Sequence, residues 1–188
     1  GFLNRSACRI LALLAVTLAL PALAAAADLV MTTGSKEIAD YVADVPCVSL
    51  REGAPVEVFM EESDGVFRVY DASGTTYSAS SLEEAVDGYL RNKGTCVIRE
   101  IEVKGHSRIS PEAIRFRLKN APGDILHRQA VRRDIEEIYS MGYFETVDAD
   151  FEEGSLVFTV KEYPVITSIE VEGNEEIDDE EIIESIGM

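Results

Sequence analysis

Apolar positions after residue 96 follow first the pattern of a strand and then that of a helix. Val97 to Val103 is rich in β-branched residues, which predicts a strand. Ser110-Pro111 predicts a helix start, with the serine as N-cap and the proline in the first turn. Because Pro122-Gly123 ends helices, we expect the first helix to fill the interval between these two dipeptides. Its apolar face would consist of Ile114, Leu118 and Ala121.

A second helix is predicted directly afterwards. Its apolar face would consist of Val131, Ile135 and Ile138. The charged residues are expected mostly off that face, namely Arg132, Arg133, Asp134, Glu136 and Glu137. Gly142 is expected to end the helix, because the residue after a helix often needs a left-handed conformation.

Two strands are predicted after the second helix. Apolar and polar residues alternate from Thr146 to Phe151, which is the period of a half-buried strand. Glu153-Gly154 is expected to form a turn, after which the alternation resumes from Ser155 to Lys161. The order β-α-α-β-β predicts an α+β domain in which two helices cover the apolar face of a three-stranded sheet.

The opening of this module recurs later in the chain. Ile101 to His106 reads Ile-Glu-Val-Lys-Gly-His, and Ile169 to Asn174 reads Ile-Glu-Val-Glu-Gly-Asn, 68 positions later (169 − 101). A repeat at a fixed period indicates tandem copies of one supersecondary unit. We therefore expect a complete module at 97–163 and the start of a second, truncated copy at 164–188. We also expect the chain to be a piece of a longer protein.

Residues 28–96 form a separate segment before the module. A hairpin is predicted from Pro55 to Met60 and from Val66 to Tyr70. A capping box predicts a helix from Ser81 to Arg91, and Ser35 to Val42 is compatible with a shorter helix. This small α+β segment suggests no function.

Residues 1–27 have the organisation of a secretory signal peptide. Basic Arg5 and Arg9 precede an apolar run from Ile10 to Leu20, and an alanine-rich stretch follows. The apolar run is shorter than the roughly 20 residues that a spanning helix needs. We expect cleavage before Asp28, with an uncleaved anchor as the alternative.

The predicted mature chain is strongly acidic. It holds 15 basic and 35 acidic residues, a net charge of −20, against −18 for the whole chain. This charge argues against nucleic acid as a partner, because phosphates must be neutralised by Lys or Arg. It also argues against docking on an anionic membrane surface. Its simplest consequence is solubility.

Few residues suggest chemistry. Cys47 and Cys96 remain after the signal, and an oxidising compartment permits a disulfide between them. The sequence leaves open whether they pair or stay as thiols. His106 and His127 belong to no recognisable catalytic triad, and neither a phosphate-binding nor a calcium-binding loop is present. We predict a protein that is not an enzyme, with no catalytic residues, metal site or cofactor.

The module resembles the POTRA (polypeptide-transport-associated) domain. The resemblance rests on Ile101-x-Val103-x-Gly105, on Tyr139-x-x-Gly142-Tyr143-Phe144, on Glu162-x-Pro164 and on the restart at Gly173-Asn174. It covers about 97–188 and says nothing of 28–96. It implies tandem POTRA modules, with structural roles for Gly105, Gly123, Gly142, Phe144 and Gly173.

Tandem POTRA domains behind a signal peptide resemble the periplasmic arm of BamA-type outer membrane protein assembly factors. In that family the arm receives unfolded outer membrane proteins and holds accessory assembly proteins. In that family a C-terminal β-barrel attaches the arm to the outer membrane, and we expect this fragment to hold the N-terminal end of the arm without the barrel. The resemblance therefore implies a periplasmic scaffold held at the outer membrane.

The resemblance also implies a binding site. In the family, the strand after the second helix lies at a sheet edge, where an extended client can add a strand through backbone hydrogen bonds. The acidic side chains there are explained equally well as protection against aggregation. In this chain the edge strand would consist of Phe144, Glu145, Thr146, Val147, Asp148, Ala149, Asp150 and Phe151.

Two other protein classes share this domain. A two-partner secretion transporter carries POTRA domains before a barrel, and an FtsQ-like division scaffold carries one POTRA domain behind an inner-membrane anchor. The start of a second copy at Val165 argues against the division scaffold. An uncleaved N-terminal helix would favour it.

Overall fold

The computed structural model describes residues 8–10, 29–51, 56–168, 170, 172 and 181. The N-terminal part holds six strands and two helices: β1 (Cys8–Ile10), β2 (Leu29–Thr32), α1 (Lys36–Val42), β3 (Val48–Leu50), β4 (Val56–Ser63), β5 (Val66–Asp71), β6 (Thr76–Ala79) and α2 (Leu82–Asn92). The C-terminal part holds β7 (Glu100–Lys104), α3 (Pro111–Arg115), α4 (Arg128–Tyr139), β8 (Phe144–Glu152) and β9 (Ser155–Glu162).

The segment before the module folds around a five-stranded sheet with the order β3-β2-β4-β5-β6. β2 runs parallel to both β3 and β4, whereas β4, β5 and β6 form an antiparallel meander. The predicted hairpin is confirmed, because Ser63 pairs with Val66 across a two-residue turn. Asp64 and Gly65 both have positive φ, as the tight hairpin turn that matches strand twist requires.

Both helices predicted in this segment are confirmed. The Ser35 side chain accepts from the amide of Ile38 at the start of α1. The Ser81 side chain accepts from the amide of Glu84 at the start of α2. Each serine thereby satisfies one of the amides that a helix start leaves without a partner.

The C-terminal sheet has the order β1-β8-β9-β7. β9 lies at its centre, antiparallel to β8 and parallel to β7. The predicted order β-α-α-β-β is confirmed, and the domain is α+β with its helices packed against the sheet. The alternation predicted for the last two strands is also confirmed, because the inward-facing residues are buried: Val147, Ala149 and Phe151 of β8, and Leu156, Phe158 and Val160 of β9.

The first strand begins later than the predicted range of Val97 to Val103. Val97 instead forms an isolated bridge with Ile125. Ile98 donates its amide to the carbonyl of Asp124 and accepts from the amide of Gly123. The β-branched residues at 97–98 are therefore extended, but they pair with the loop before α4, and β7 starts at Glu100.

The first helix of the module is shorter than predicted. It ends at Arg115, and Leu118 and Ala121 lie beyond it. The Asp134 carboxylate stops it, because it accepts from the amides of Lys119 (2.8 Å) and Asn120 (3.2 Å) and thus takes donors that a continuing helix would use. The Asn120 side chain adds a third bond to the same carboxylate. Asp134 is fully buried, so the expectation that it lies off the apolar face of α4 is wrong.

Several predictions fall outside the described residues. Except for Cys8–Ile10, the segment 1–27 is not described, nor are Gly173 and most of the second repeat copy. Among the described residues, no helix is long and apolar enough to cross a membrane.

Candidate functional site

The predicted edge strand, β8, is held on one side by β9 along its whole length. On its other side it pairs with β1 in an antiparallel arrangement over three positions only. The register joins Cys8 to Phe151, Arg9 to Asp150 and Ile10 to Ala149. In a chain that begins at the predicted mature N-terminus, β8 would be the edge of this sheet.

In the first half of β8, a tyrosine hydroxyl binds a backbone amide on the outer edge of the strand. The amide of Val147 donates to the Tyr139 hydroxyl at 3.0 Å. Successive residues of a strand point their backbone groups to opposite sides. With Val147 directed away from β9, the amides of Ala149 and Phe151 point outward as well. The backbone available for pairing is therefore the stretch Ala149–Phe151, where β1 lies.

The side chains of β8 divide between the core and the surface. Phe144, Val147, Ala149 and Phe151 are buried. Glu145 is exposed and forms an ion pair with Lys161 of β9 (2.7 Å). The register shifts between Phe144 and Thr146, a bulge that locally disrupts the ladder at the start of the strand.

Three of the predicted structural glycines lie in turns with positive φ: Gly105, Gly123 and Gly142. A side chain at Gly105 would overlap the carbonyl oxygen of Val160, whereas Gly142 has open space around it. Phe144, the first residue of β8, is 1% exposed and belongs to the core. The three glycines lie in turns outside β8, and the Phe144 side chain points into the core.

The loop before α3 is held by a carboxylate. Glu162, at the end of β9, accepts from the amides of Ser107 (2.7 Å), Arg108 (2.9 Å) and Ile109 (3.1 Å). The bond from Ser107 and then that from Ile109 lower the pKa of the Glu162 carboxyl from 4.5 to about 2, against the opposing effect of burial. The sequence marks Glu162 only as part of a motif, and the structure supplies the reason.

A disulfide joins Cys47 to Cys96, the residue at which the segment meets the module. Their Cα atoms are 5.6 Å apart, which is normal for such a bond. Both cysteines are buried in the core. The pairing that the sequence leaves open is thus present in the structure, and it closes a separation of 49 residues.

A carboxylate of the N-terminal segment caps α4. His127 is the N-cap residue, but its side chain makes no capping bond. Asp44 accepts instead, through its side chain from the amide of Gln129 (3.2 Å) and through its carbonyl from the amide of Arg128 (3.0 Å). Sequence reasoning missed Asp44, because the cap comes from a residue 85 positions away.

His127 lies between two carboxylates at the same junction. Its Nε2 is 3.2 Å from Asp87 and its Nδ1 is 3.6 Å from Asp44. The Tyr41 hydroxyl donates to Asp87 at 3.1 Å, and its ring lies against the imidazole. Burial, followed by the negative charge of Asp87, raises the pKa of the Tyr41 hydroxyl, so Tyr41 stays a hydrogen-bond donor. The four side chains connect the two parts of the chain.

Residues 96–163, which contain β7, both helices, β8 and β9, match the family described as "POTRA: Surface antigen variable number repeat". This part of the chain is a POTRA domain. The resemblance that the motifs predict is confirmed for residues 96–163, and the chain is similar to BamA-type assembly factors.

Two curated relatives carry the name "Outer membrane protein assembly factor BamA". The protein from Nitratidesulfovibrio vulgaris is 27% identical over 133 residues, which cover 69% of this chain and 16% of the relative. The protein from Buchnera aphidicola is 29% identical over 81 residues, which cover 42% of this chain and 13% of the relative. The chain therefore corresponds to a small part of the length of each relative.

Similar solved structures are domains of Omp85 proteins. POTRA domains 1–3 of Omp85 from Anabaena align with a TM-score of 0.35 and 19% identity, covering 37% of this chain and 35% of the other. The N-terminal domain of Omp85 from Thermosynechococcus elongatus aligns with a TM-score of 0.36 and 16% identity, covering 73% and 66%.

Proposed function

We propose that this chain belongs to the periplasmic arm of an outer membrane protein assembly factor. In this proposal the arm binds unfolded outer membrane proteins at the β8 edge and holds accessory assembly proteins. A β-barrel elsewhere in the full protein attaches it to the outer membrane. The role is binding and scaffolding, and the BamA relatives support it.

The pairing of β1 with β8 carries the client-binding part of the proposal. It supports the idea that the Ala149–Phe151 stretch accepts an added antiparallel strand. β1 lies inside the predicted signal peptide, so its removal would leave the same backbone groups to a client. Backbone pairing reads little side-chain sequence, which suits a receptor for many different clients.

The acidic side chains near this edge limit how strong the pairing becomes. Charged residues on exposed edges discourage continued addition of strands and hence aggregation. Glu145 is already neutralised by Lys161, while Asp148 lies on the outward side of β8. A weak and reversible contact is what a client that must move on to the membrane requires.

The proposal is tested with a ten-residue synthetic peptide that alternates apolar and polar residues, the pattern of a membrane barrel strand. Isotope-labelled protein beginning at Asp28 is titrated with it. We expect the largest NMR shift changes at the amides of Ala149 and Phe151, and little change at Val147, whose amide is already bound by Tyr139.

The matched control is the same peptide with alternate backbone nitrogens methylated. It keeps every side chain but loses the donors that pair with a strand edge. Equal binding of the two peptides, or shift changes that avoid β8, would refute strand addition. The assembly role itself is tested separately by the gene sequence beyond Met188, where further modules and then ten-residue alternating strands are expected. A soluble tail without such strands would contradict it.

A further inference from the structure

The POTRA domain has two faces of opposite charge. Cross-strand neighbours place Glu102, Val157 and Asp150 in one outward-facing row. The charged residues that face outward from β7, β8 and β9 are six acids and two lysines, namely Glu100, Glu102, Glu145, Asp148, Asp150, Glu152, Lys104 and Lys161.

The opposite, helical side is basic. Residues 108–139, from the loop before α3 to the end of α4, hold seven basic and five acidic residues, a net charge of +2 in a chain of net charge −18. Apart from Arg128, whose side chain donates to the carbonyl of Ala43, the cations that lie exposed around the end of α3 and on α4 are Arg115, Arg117, Lys119, Arg132 and Arg133. We call these five residues the basic surface.

Most of this charge is not neutralised. Of the basic surface, Lys119 alone forms an ion pair with a described residue, Glu137, and at a long 3.9 Å. Lys119 and Arg133 also line the same shallow hollow, together with the acidic residues Asp87 and Asp124. Charge on the acidic face has little influence here, because solvent-exposed charges farther apart than about 8–10 Å are largely screened at physiological ionic strength.

An aromatic side chain projects from the basic surface. Phe116 is 90% exposed, the highest value among the large apolar residues described. It follows the last residue of α3 directly and stands between Arg115 and Arg117. A bare aromatic ring flanked by cations suits the headgroup level of a bilayer, where aromatic residues collect and anionic lipids attract Lys and Arg.

We propose that the basic surface and Phe116 form a docking site for an anionic phospholipid bilayer. A bilayer fits better than a protein partner, because the cations surround a projecting turn and a shallow hollow that offer no groove for a folded segment. The acidic net charge argues against such docking for the chain as a whole, but this proposal concerns one face only, on which cations are concentrated. In this orientation the sheet faces away from the lipid.

The test uses protein beginning at Asp28, because the apolar run before it would itself bind lipid. Binding to vesicles that mix phosphatidylglycerol with phosphatidylethanolamine is measured by flotation and compared with vesicles of phosphatidylcholine. We expect binding to the anionic vesicles only, and weakening as salt rises. The double variant Arg115→Glu/Arg117→Glu should lower the partition coefficient more than tenfold, since each cation near such a surface contributes about a factor of five.

The control variant Lys104→Glu/Lys161→Glu makes the same change in net charge on the sheet face. It should bind like the wild type, and Phe116→Ser should bind several-fold more weakly. Circular dichroism checks that every variant is folded. Binding that is equal on neutral vesicles, or lost equally in the two double variants, would overturn the proposal. Absence of vesicle binding would also overturn the proposal. If the arginine variant then differed from the wild type in hydrodynamic radius, the basic surface would instead be assigned to binding an acidic protein segment.

Discussion

At the scale of single residues, two glycines that the sequence marks in the same way have different constraints. Gly105 and Gly142 both have positive φ, but only at Gly105 would a side chain meet backbone, at the carbonyl of Val160. Gly142→Ala should therefore cost about 1–2 kcal/mol, the penalty for a left-handed residue. Gly105→Ala should cost clearly more, because β9 must also shift. Urea unfolding of both variants measures the difference, and equal losses would contradict it.

The lowered pKa of the Glu162 carboxyl predicts how the stability of the protein depends on pH. Its pKa is lowered to about 2 in the folded chain by bonds from Ser107 and Ile109, against 4.5 ordinarily. A group with a lowered folded pKa stabilises the protein above its unfolded pKa, and this contribution disappears as the pH falls through the folded value. Glu162→Gln should thus be less stable than wild type at neutral pH, and the gap should shrink from about pH 4.5 down to pH 2. Chemical unfolding at several pH values measures the gap.

The control for Glu162 is Glu145→Gln, which removes an exposed carboxylate from the neighbouring strand. Exposed ion pairs contribute little to stability, so this variant should follow wild type closely at every pH. A gap for Glu162→Gln that stays constant with pH would show that the carboxylate acts through shape and not through charge.

Asp134 shows where sequence reasoning about single residues fails. Position 134 is three residues from Val131 and four from Ile138, so helical spacing already places it on the buried face. Its charge suggested the opposite. A buried carboxylate needs partners, and here they are backbone amides of Lys119 and Asn120. These hydrogen bonds cannot be predicted from the sequence pattern, because their donors lie in a loop without regular structure.

At the scale of elements, β8 is divided by the Tyr139 hydroxyl. Tyr139→Phe keeps the ring but leaves the Val147 amide without its partner. We expect hydrogen exchange at this amide to accelerate strongly, while the amide of Val160 in β9 exchanges as before. The cost in stability should be about 1 kcal/mol, as for a single hydrogen bond. Unchanged exchange at Val147 would mean that another group protects this amide and that the edge is not divided here.

The elements that could be predicted are those whose pattern is set locally. The alternation in β8 and β9, the hairpin of β4 and β5, and the serine caps all follow from neighbouring residues. The elements that differ depend on distant contacts: α3 ends early because of Asp134, and β7 starts late because Val97 pairs with Ile125. The candidate edge strand was located by resemblance, but its division by Tyr139 is a tertiary contact that the sequence does not reveal.

At the scale of the whole molecule, the segment 28–96 packs against the POTRA domain through side-chain and backbone contacts, in addition to the covalent connection along the chain. Arg128 donates from its side chain to the carbonyl of Ala43 (2.9 Å), and Asp44 caps the helix that Arg128 begins. The disulfide lies within the shared core. Neither part has a strong sequence signal for this junction, because its contacts join residues 40 to 86 positions apart.

The junction predicts how the molecule unfolds. A unit of about 65 residues buries only a marginal core by itself, and a disulfide that closes a separation of 49 residues contributes about 4 kcal/mol in the chain-entropy description. We therefore expect the oxidised chain from Asp28 to unfold in one thermal transition. The variant Cys47→Ser/Cys96→Ser should unfold in two transitions, with the segment before the POTRA domain melting first.

Calorimetry with and without reductant measures this difference. Reductant should split the single transition of the wild type and leave the two transitions of the variant unchanged. A single transition in the reduced wild type would instead mean that Asp44, Asp87, His127 and Tyr41 suffice to couple the two parts.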